Sequence, residues 1–209
     1  VLIRRERAGD IPAIDAVHRA AFAREYASGA TGGERRAAGV PVDPPEVELV
    51  HRLRSDSGWI PTLSLVAEVL ERVVGHVCLT RAGVGPYPVL ALGPIGVLPE
   101  HQGVGIGASL MHAALGAADA LDEPLVGLLD SLWASGPKAA AERNHAGPAR
   151  RLDGYSLDYY PRFGFVPGAR FGVVPDEPSW VSHFQVRPLT AYEPGITGEF
   201  RYPTPFYSI

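Results

Sequence analysis

The sequence predicts an α/β or α+β sheet protein with helices on its faces, and three observations predict it. Strand-like apolar runs lie on both sides of a helical segment at 103–121. Two of the earlier runs are separated by only two residues, which makes an antiparallel hairpin. Further helical periodicity stands near the start of the chain, and a sheet covered by helices is the layer arrangement that buries such elements.

In chain order, Leu2–Arg5 reads as a short first strand. Ile11, Ile14, Ala16, Val17 and Ala20–Phe22 then recur at helical spacing, with Asp10 as N-cap and Pro12 in the first turn. Ser28–Pro45 is rich in Gly, Pro and Arg and reads as a loop. Glu46–Leu53 is a second helix, its Val47, Val50 and Leu53 on one face. The hairpin strands are Leu63–Leu70 and Val73–Thr80, joined through Glu71-Arg72. Val89–Leu98 is the next strand, and its Gly93-Pro94 and Gly96 mark a bulge, an edge or a close backbone approach. A helix over Gly103–Leu121 and a strand over Leu125–Leu129 follow. Leu132–Leu157 is long and weakly patterned, broken by Gly and Pro, and reads as a surface insertion that folding can dispense with, its functional alternative being a substrate lid. A final strand pair follows Tyr159–Val166, with Ser182–Leu189 its clearer member.

Composition narrows the function. At 209 residues and 46% apolar, the chain suits one domain, 1–209, carrying the insertion at 132–157. Net charge is −4 with no basic stripe, which argues against a nucleic-acid partner. No run approaches the ~20 apolar residues of a membrane span, so no membrane partner and a cytoplasmic location are expected. The single cysteine, Cys78, rules out an intrachain disulfide and reads as a buried thiol. The seven histidines show no ligand spacing, so no metal is expected.

The most informative segment is Gln102-Gly103-Val104-Gly105-Ile106-Gly107-Ala108. Its glycines let backbone N–H groups face one cavity, and the helix behind them adds free N–H groups and the positive end of its dipole. That is a phosphate site; its bland alternative is a glycine-rich turn. The same residues satisfy a relaxed dinucleotide fingerprint, with Asp130 at the end of the next strand. Against an NAD(P)-dependent oxidoreductase stand the four residues between strand and first glycine, and the hairpin that precedes the unit.

The run Ile95-Gly96-Val97-Leu98-Pro99-Glu100-His101-Gln102-Gly103-Val104-Gly105-Ile106-Gly107-Ala108 resembles the central motif of the GCN5-related N-acetyltransferase superfamily. Tyr160-Pro161-Arg162-Phe163-Gly164-Phe165 is similar to its Tyr-x-x-x-Gly-Phe motif. Trp59–Glu68 with Val74-Gly75-His76-Val77, and the ending Phe200-Arg201-Tyr202-Pro203, resemble the uncharacterised bacterial YhbS-like branch. The resemblance implies a mixed, mostly antiparallel sheet, splayed between Val89–Leu98 and Leu125–Leu129 to admit acetyl-CoA. Gln102–Ala108 would hold its pyrophosphate; Ile95, Gly96 and Val97 would line the pantetheine arm, with free backbone groups of Ile95 and Val97 pairing to it. The acceptor would be a small-molecule amine or a protein or peptide amine, and the protein a monomer or homodimer. A non-catalytic coenzyme A-binding sensor on the same fold is the alternative.

Acetyl transfer needs a neutral amine, a stabilised oxyanion and a protonated leaving thiolate. Tyr160 is the expected general acid, since a phenol and a thiolate have comparable basicity; its bland alternative is packing, with Tyr159, beside Phe163 and Phe165. The backbone N–H of Val97 or a neighbour would stabilise the oxyanion. Glu68 and Asp130 end strand-like runs and are the base candidates, although each also reads as an ordinary strand-end charge. The family's frequent glutamate on the central strand has no counterpart, because 89–97 contains no acid. His76 and His101, each taken alone, carry little weight.

Overall fold

A computed structural model describes residues 1–28, 43–130 and 159–208. The expected insertion at 132–157 lies outside the described residues. Nine strands among the described residues form one mixed sheet: β1 (Leu2–Arg5), β2 (Trp59–Val69), β3 (Arg72–Val84), β4 (Tyr87–Val97), β5 (Leu125–Leu129), β6 (Val166–Pro167), β7 (Val173–Pro175), β8 (Phe184–Pro188) and β9 (Gly198–Arg201). Their order is β1-β2-β3-β4-β5-β8-β6, and β9 pairs with both β3 and β7. Among the described residues only β4–β5 and β7–β9 run parallel.

Among the described residues three α-helices cover it: α1 (Ile11–Ser28), α2 (Pro45–Ser55) and α3 (Ile106–Asp119). α1 and α3 lie on opposite faces, as adjacent residues of β4 show. A Cβ on Gly96 would meet His18 and Ala21 of α1, whereas Val97 packs at Gly75, which faces Leu110 of α3. Side chains alternate across a strand, so the two helices must be on different sides. The larger core cluster joins Ile14 and Val17 of α1 to Val74, Val77 and Leu110.

The elements extend or shift the expected ones by a few residues. The hairpin turn is Leu70-Glu71, not Glu71-Arg72, since Val69 pairs with Arg72. Both turn residues have positive φ, as a type I′ turn requires. Asp10 is not the N-cap of α1: it ends a 3₁₀ turn, Ala8–Asp10, and its carboxylate accepts from the Arg7 N–H at 2.7 Å and from Arg4 at 2.6 Å.

Two features of β4 shape the site. Leu92 pairs with Leu79 and Ile95 with Val77, so Gly93 and Pro94 together oppose the single residue Cys78. This β-bulge turns the strand. On its other edge β4 pairs with β5 only at Leu90–Val126 and Ala91–Gly127. Beyond that point β5 stays with β8 through Leu128 and Leu129, while β4 stays with β3. The sheet therefore opens into a wedge at the bulge.

Candidate active site

The wedge leaves defined backbone groups without a strand partner. The Leu98 N–H donates to the Val74 carbonyl at 2.9 Å, which makes Leu98–Val74 a hydrogen-bonded pair. Antiparallel ladders alternate, so Ile95 and Val97 occupy non-bonded positions and turn their N–H and C=O groups away from β3 into the wedge. One of these four groups is engaged: the Gln102 side-chain amide donates to the Val97 carbonyl at 2.9 Å. Gln102 thus ties the loop to the strand.

The loop itself is held open by backbone geometry. Gly103 and Gly105 have φ of 76° and 91°, in the left-handed region that favours glycine. A Cβ at either would meet nothing within 4 Å, so the space above them is open. Gly105 caps α3, and its carbonyl accepts from the Ser109 N–H at 2.9 Å. Ile106 is buried and anchors the helix start, while Val104 is exposed. Gly107 and Ala108 form the first turn of α3, whose leading N–H groups face the open side.

The tyrosine motif meets the loop at Gly107. Tyr160 is buried in the larger core cluster, its ring perpendicular to Tyr159 at 5.2 Å and to Phe165 at 5.9 Å. Tyr159 is half-buried, and its hydroxyl reaches Gly107. Burial raises the Tyr159 phenol above its ordinary value, partly opposed by Arg162, so it stays a donor at neutral pH. The structure thus brings the glycine loop, the strand edge at Val97 and Tyr159 together.

The two acidic base candidates lie at different strands. Glu68 lies in β2, separated from β4 by β3, and accepts from the Arg4 guanidinium at 2.7 Å. Asp130 is buried just past β5, its N–H donating to the His183 carbonyl at 2.9 Å. His101 sits in the 3₁₀ turn Pro99–His101.

His76 is not alone. On the α1 face its Nδ1 lies 2.8 Å from His18 Nε2, and its Nε2 lies 3.0 Å from Ser64 Oγ. Ser64 donates to Glu6, which also accepts from Arg54 Nε at 2.7 Å. His18 and Glu6 were invisible as partners in the sequence: the group draws on α1, α2, β2, β3 and the residue after β1. Burial pushes the Glu6 carboxyl up, but hydrogen bonds from His76, Arg54 and Ser64 outweigh it and bring it down to about 2. Among the described residues, no group of three His, Cys, Asp or Glu side chains is placed to hold a metal ion. Nor is any helix among them long and apolar enough to cross a membrane.

A cleft of about 840 Å³ lies beside the C-terminal half of α3, lined by residues including His112, Asp119, Arg162 and Arg187. None of Gly103–Gly107 lines it.

Comparison with known proteins finds relatives in sequence and in fold. The sequence model of the Acetyltransferase (GNAT) family matches residues 37–136. The chain is 30% identical over 168 residues to the uncharacterised N-acetyltransferase YjhQ of Escherichia coli, covering 77% of this chain and 79% of YjhQ. The crystal structure of E. coli YhbS, a GNAT family N-acetyltransferase in complex with CoA, superposes with a TM-score of 0.71 at 25% identity, covering 99% of this chain and 91% of that one. A GNAT family acetyltransferase from Brucella melitensis in complex with acetyl-CoA gives 0.64 at 26% identity, covering 98% and 97%.

Proposed function

The chain belongs to the GNAT family of acetyltransferases, and from that premise we propose that it moves an acetyl group from acetyl-CoA to an amine by direct attack in a ternary complex. The reading treats residues 1–209 as one catalytic unit. The observation that carries it is the parting of β4 from β5 beside an open glycine loop: a phosphate cradle and a strand edge adjoin, as an extended phosphorylated thioester requires. The solved relatives with CoA and acetyl-CoA support the choice of co-substrate.

Acetyl-CoA supplies an activated acyl group as its thioester. The loop N–H groups from Gly103 to Ala108 would hold the pyrophosphate, with Tyr159 as a further donor. The edge of β4 at Ile95 and Val97 would bind the pantetheine amides as a neighbouring strand would. A wedge-facing N–H of Ile95 or Val97 would stabilise charge building on the carbonyl oxygen. Tyr160 would protonate the leaving thiolate, its ring fixed by Tyr159 and Phe165. The acceptor is a small-molecule amine or an amine on a peptide or protein.

A thermal-shift measurement with acetyl-CoA, coenzyme A and NAD tests the co-substrate. At a hundred times its Kd the right ligand should stabilise by about 2.7 kcal/mol. A turnover assay against an amine panel then tests transfer. The absence of an acid along 89–97 favours a second reading, a non-catalytic coenzyme A sensor. Binding of acetyl-CoA without turnover of any amine would select it.

A further inference from the structure

We propose that His18 is the base of the transfer: its Nδ1 takes the proton of the acceptor amine, and His76, Ser64 and Glu6 carry that proton to the surface. The proposal rests on the acyltransferase reading above and supplies the group that reading lacks on β4.

Hydrogen-bond polarity fixes the direction. An ionised carboxylate only accepts, so the Ser64 hydroxyl must give its single proton to Glu6. Ser64 Oγ can then only accept from His76, which puts the His76 proton on Nε2. His76 Nδ1 is therefore a lone pair and accepts from His18 Nε2–H. In neutral His18 the remaining nitrogen, Nδ1, must carry a lone pair. One ionised group at the far end thus sets both tautomers.

The position of that lone pair matters. His18 is fully buried, and its Nδ1 has no hydrogen-bond partner among the described residues. A buried polar atom left in this way calls for an explanation. Nδ1 lies against Gly96, where a Cβ would stand 3.0 Å from it. Gly96 sits between Ile95 and Val97, the residues whose backbone groups edge the wedge. Glycine at 96 therefore serves less to touch cofactor than to let the imidazole reach the strand.

The charged surroundings keep the relay ready. Burial holds His18 well below the ordinary imidazole value; His76 and Arg54 act the same way, and Glu6 opposes them. Burial also lowers His76, against Glu6 and Asp15 and together with Arg54. Both imidazoles are therefore neutral at pH 7, each with a lone pair open to a proton. Of the four relay side chains only Glu6, 9% exposed, leads to solvent.

The reaction balances as follows. The ammonium N–H bond breaks and His18 Nδ1 gains that proton, while His18 Nε2–H passes to His76, His76 Nε2–H to Ser64 and the Ser64 proton to Glu6. The freed lone pair forms the C–N bond as the C–S bond breaks. Tyr160 protonates the thiolate, and the second proton leaving nitrogen restores Tyr160. One proton leaves through Glu6.

The test is His18→Gln, which keeps an N–H for His76 and removes the basic nitrogen. With butylamine as probe acceptor, kcat at pH 7 should fall about 10²–10⁴-fold, and the deficit should shrink about tenfold per pH unit as the amine deprotonates itself. Acetyl-CoA affinity should stay within a few-fold, and transfer to hydroxylamine, already neutral at pH 7, should persist. No loss, or an equal and pH-independent loss for both probes, overturns the proposal. Nitrogen NMR of the native protein decides independently of activity and of the variant's folding: His18 should carry its proton on Nε2 and none on Nδ1, and the reverse tautomer or an imidazolium at pH 7 overturns the proposal. Native protein that transfers to no amine would instead sink the acyltransferase reading.

Discussion

The phenolic oxygen of Tyr159 stands against Gly107 in the first turn of α3, where a Cβ built on the glycine would lie 2.8 Å away. The two adjacent tyrosines therefore divide their work. Tyr160 turns into the core among Phe163 and Phe165, while Tyr159 reaches the loop.

This contact predicts coupling between the two residues. Gly107→Ala should cost about 1–3 kcal/mol through crowding, less the ~1 kcal/mol that alanine gains in a helix. In a Tyr159→Phe background the same change should be neutral or stabilising. Urea unfolding of the four proteins checks it, and additive costs would mean that the hydroxyl does not rest there.

Gly105 should tolerate no side chain. Its φ of 91° costs an L-residue about 1–2 kcal/mol, and a branched Cβ would project into the open space above the loop. Gly105→Val should lose measurable coenzyme A binding in calorimetry while retaining a cooperative melt. Unchanged affinity would move the pyrophosphate elsewhere.

Tyr160→Phe keeps the packed ring and removes only the hydroxyl. The saturated rate should fall roughly tenfold to a thousandfold with acetyl-CoA affinity within a few-fold. Tyr159→Phe should do the converse, weakening coenzyme A binding more than turnover. Equal rates in all three proteins would leave the acid unassigned to this motif.

Stability should fall in two stages as pH drops. His18 and His76 are held below their unfolded value of about 6.5, so the unfolded chain takes up protons first and stability declines below that pH. Glu6, at about 2 in the fold, adds stability that is complete above the unfolded carboxylate value and is lost between about 4.5 and 2. Its share is on the order of 3 kcal/mol. Denaturant midpoints across pH 3–8 measure this, and His18→Gln should flatten the upper stage. A stability profile level from pH 7 to 5 would contradict the buried neutral pair.

Cys78 should be inert in the native state. Its thiol is fully buried, donates to the Gly93 carbonyl at 3.2 Å and is pushed up by burial. Iodoacetamide should label it only after unfolding. Rapid native labelling would mean that the bulge opens.

The sequence was most legible where chemistry is local. Leu125–Leu129 was read to the residue, and the loop–helix boundary to within three, because glycine, proline and apolar period act on neighbours. The turn slipped by one residue because Leu70 looks like strand yet adopts positive φ. The wedge was foreseen only through resemblance: a bulge against Cys78 depends on a partner strand that no window contains. His18 was hidden for the same reason. It sits on the apolar face of α1, where a histidine reads as core, and only folding shows its line to Glu6.

The last strand reaches back to the middle of the chain, with Arg201 pairing to Gly83 and Phe200 to Val84. Phe200 also packs onto Gly127, and it and Tyr202 belong to the second core cluster. During synthesis this closure must wait until residue 201 has left the ribosome, long after β3 and β4 have emerged. A nascent chain therefore spends that interval with part of the β3 edge and its apolar floor unprotected. Non-local pairing of this kind slows folding, so chaperone dependence should be greatest late in translation.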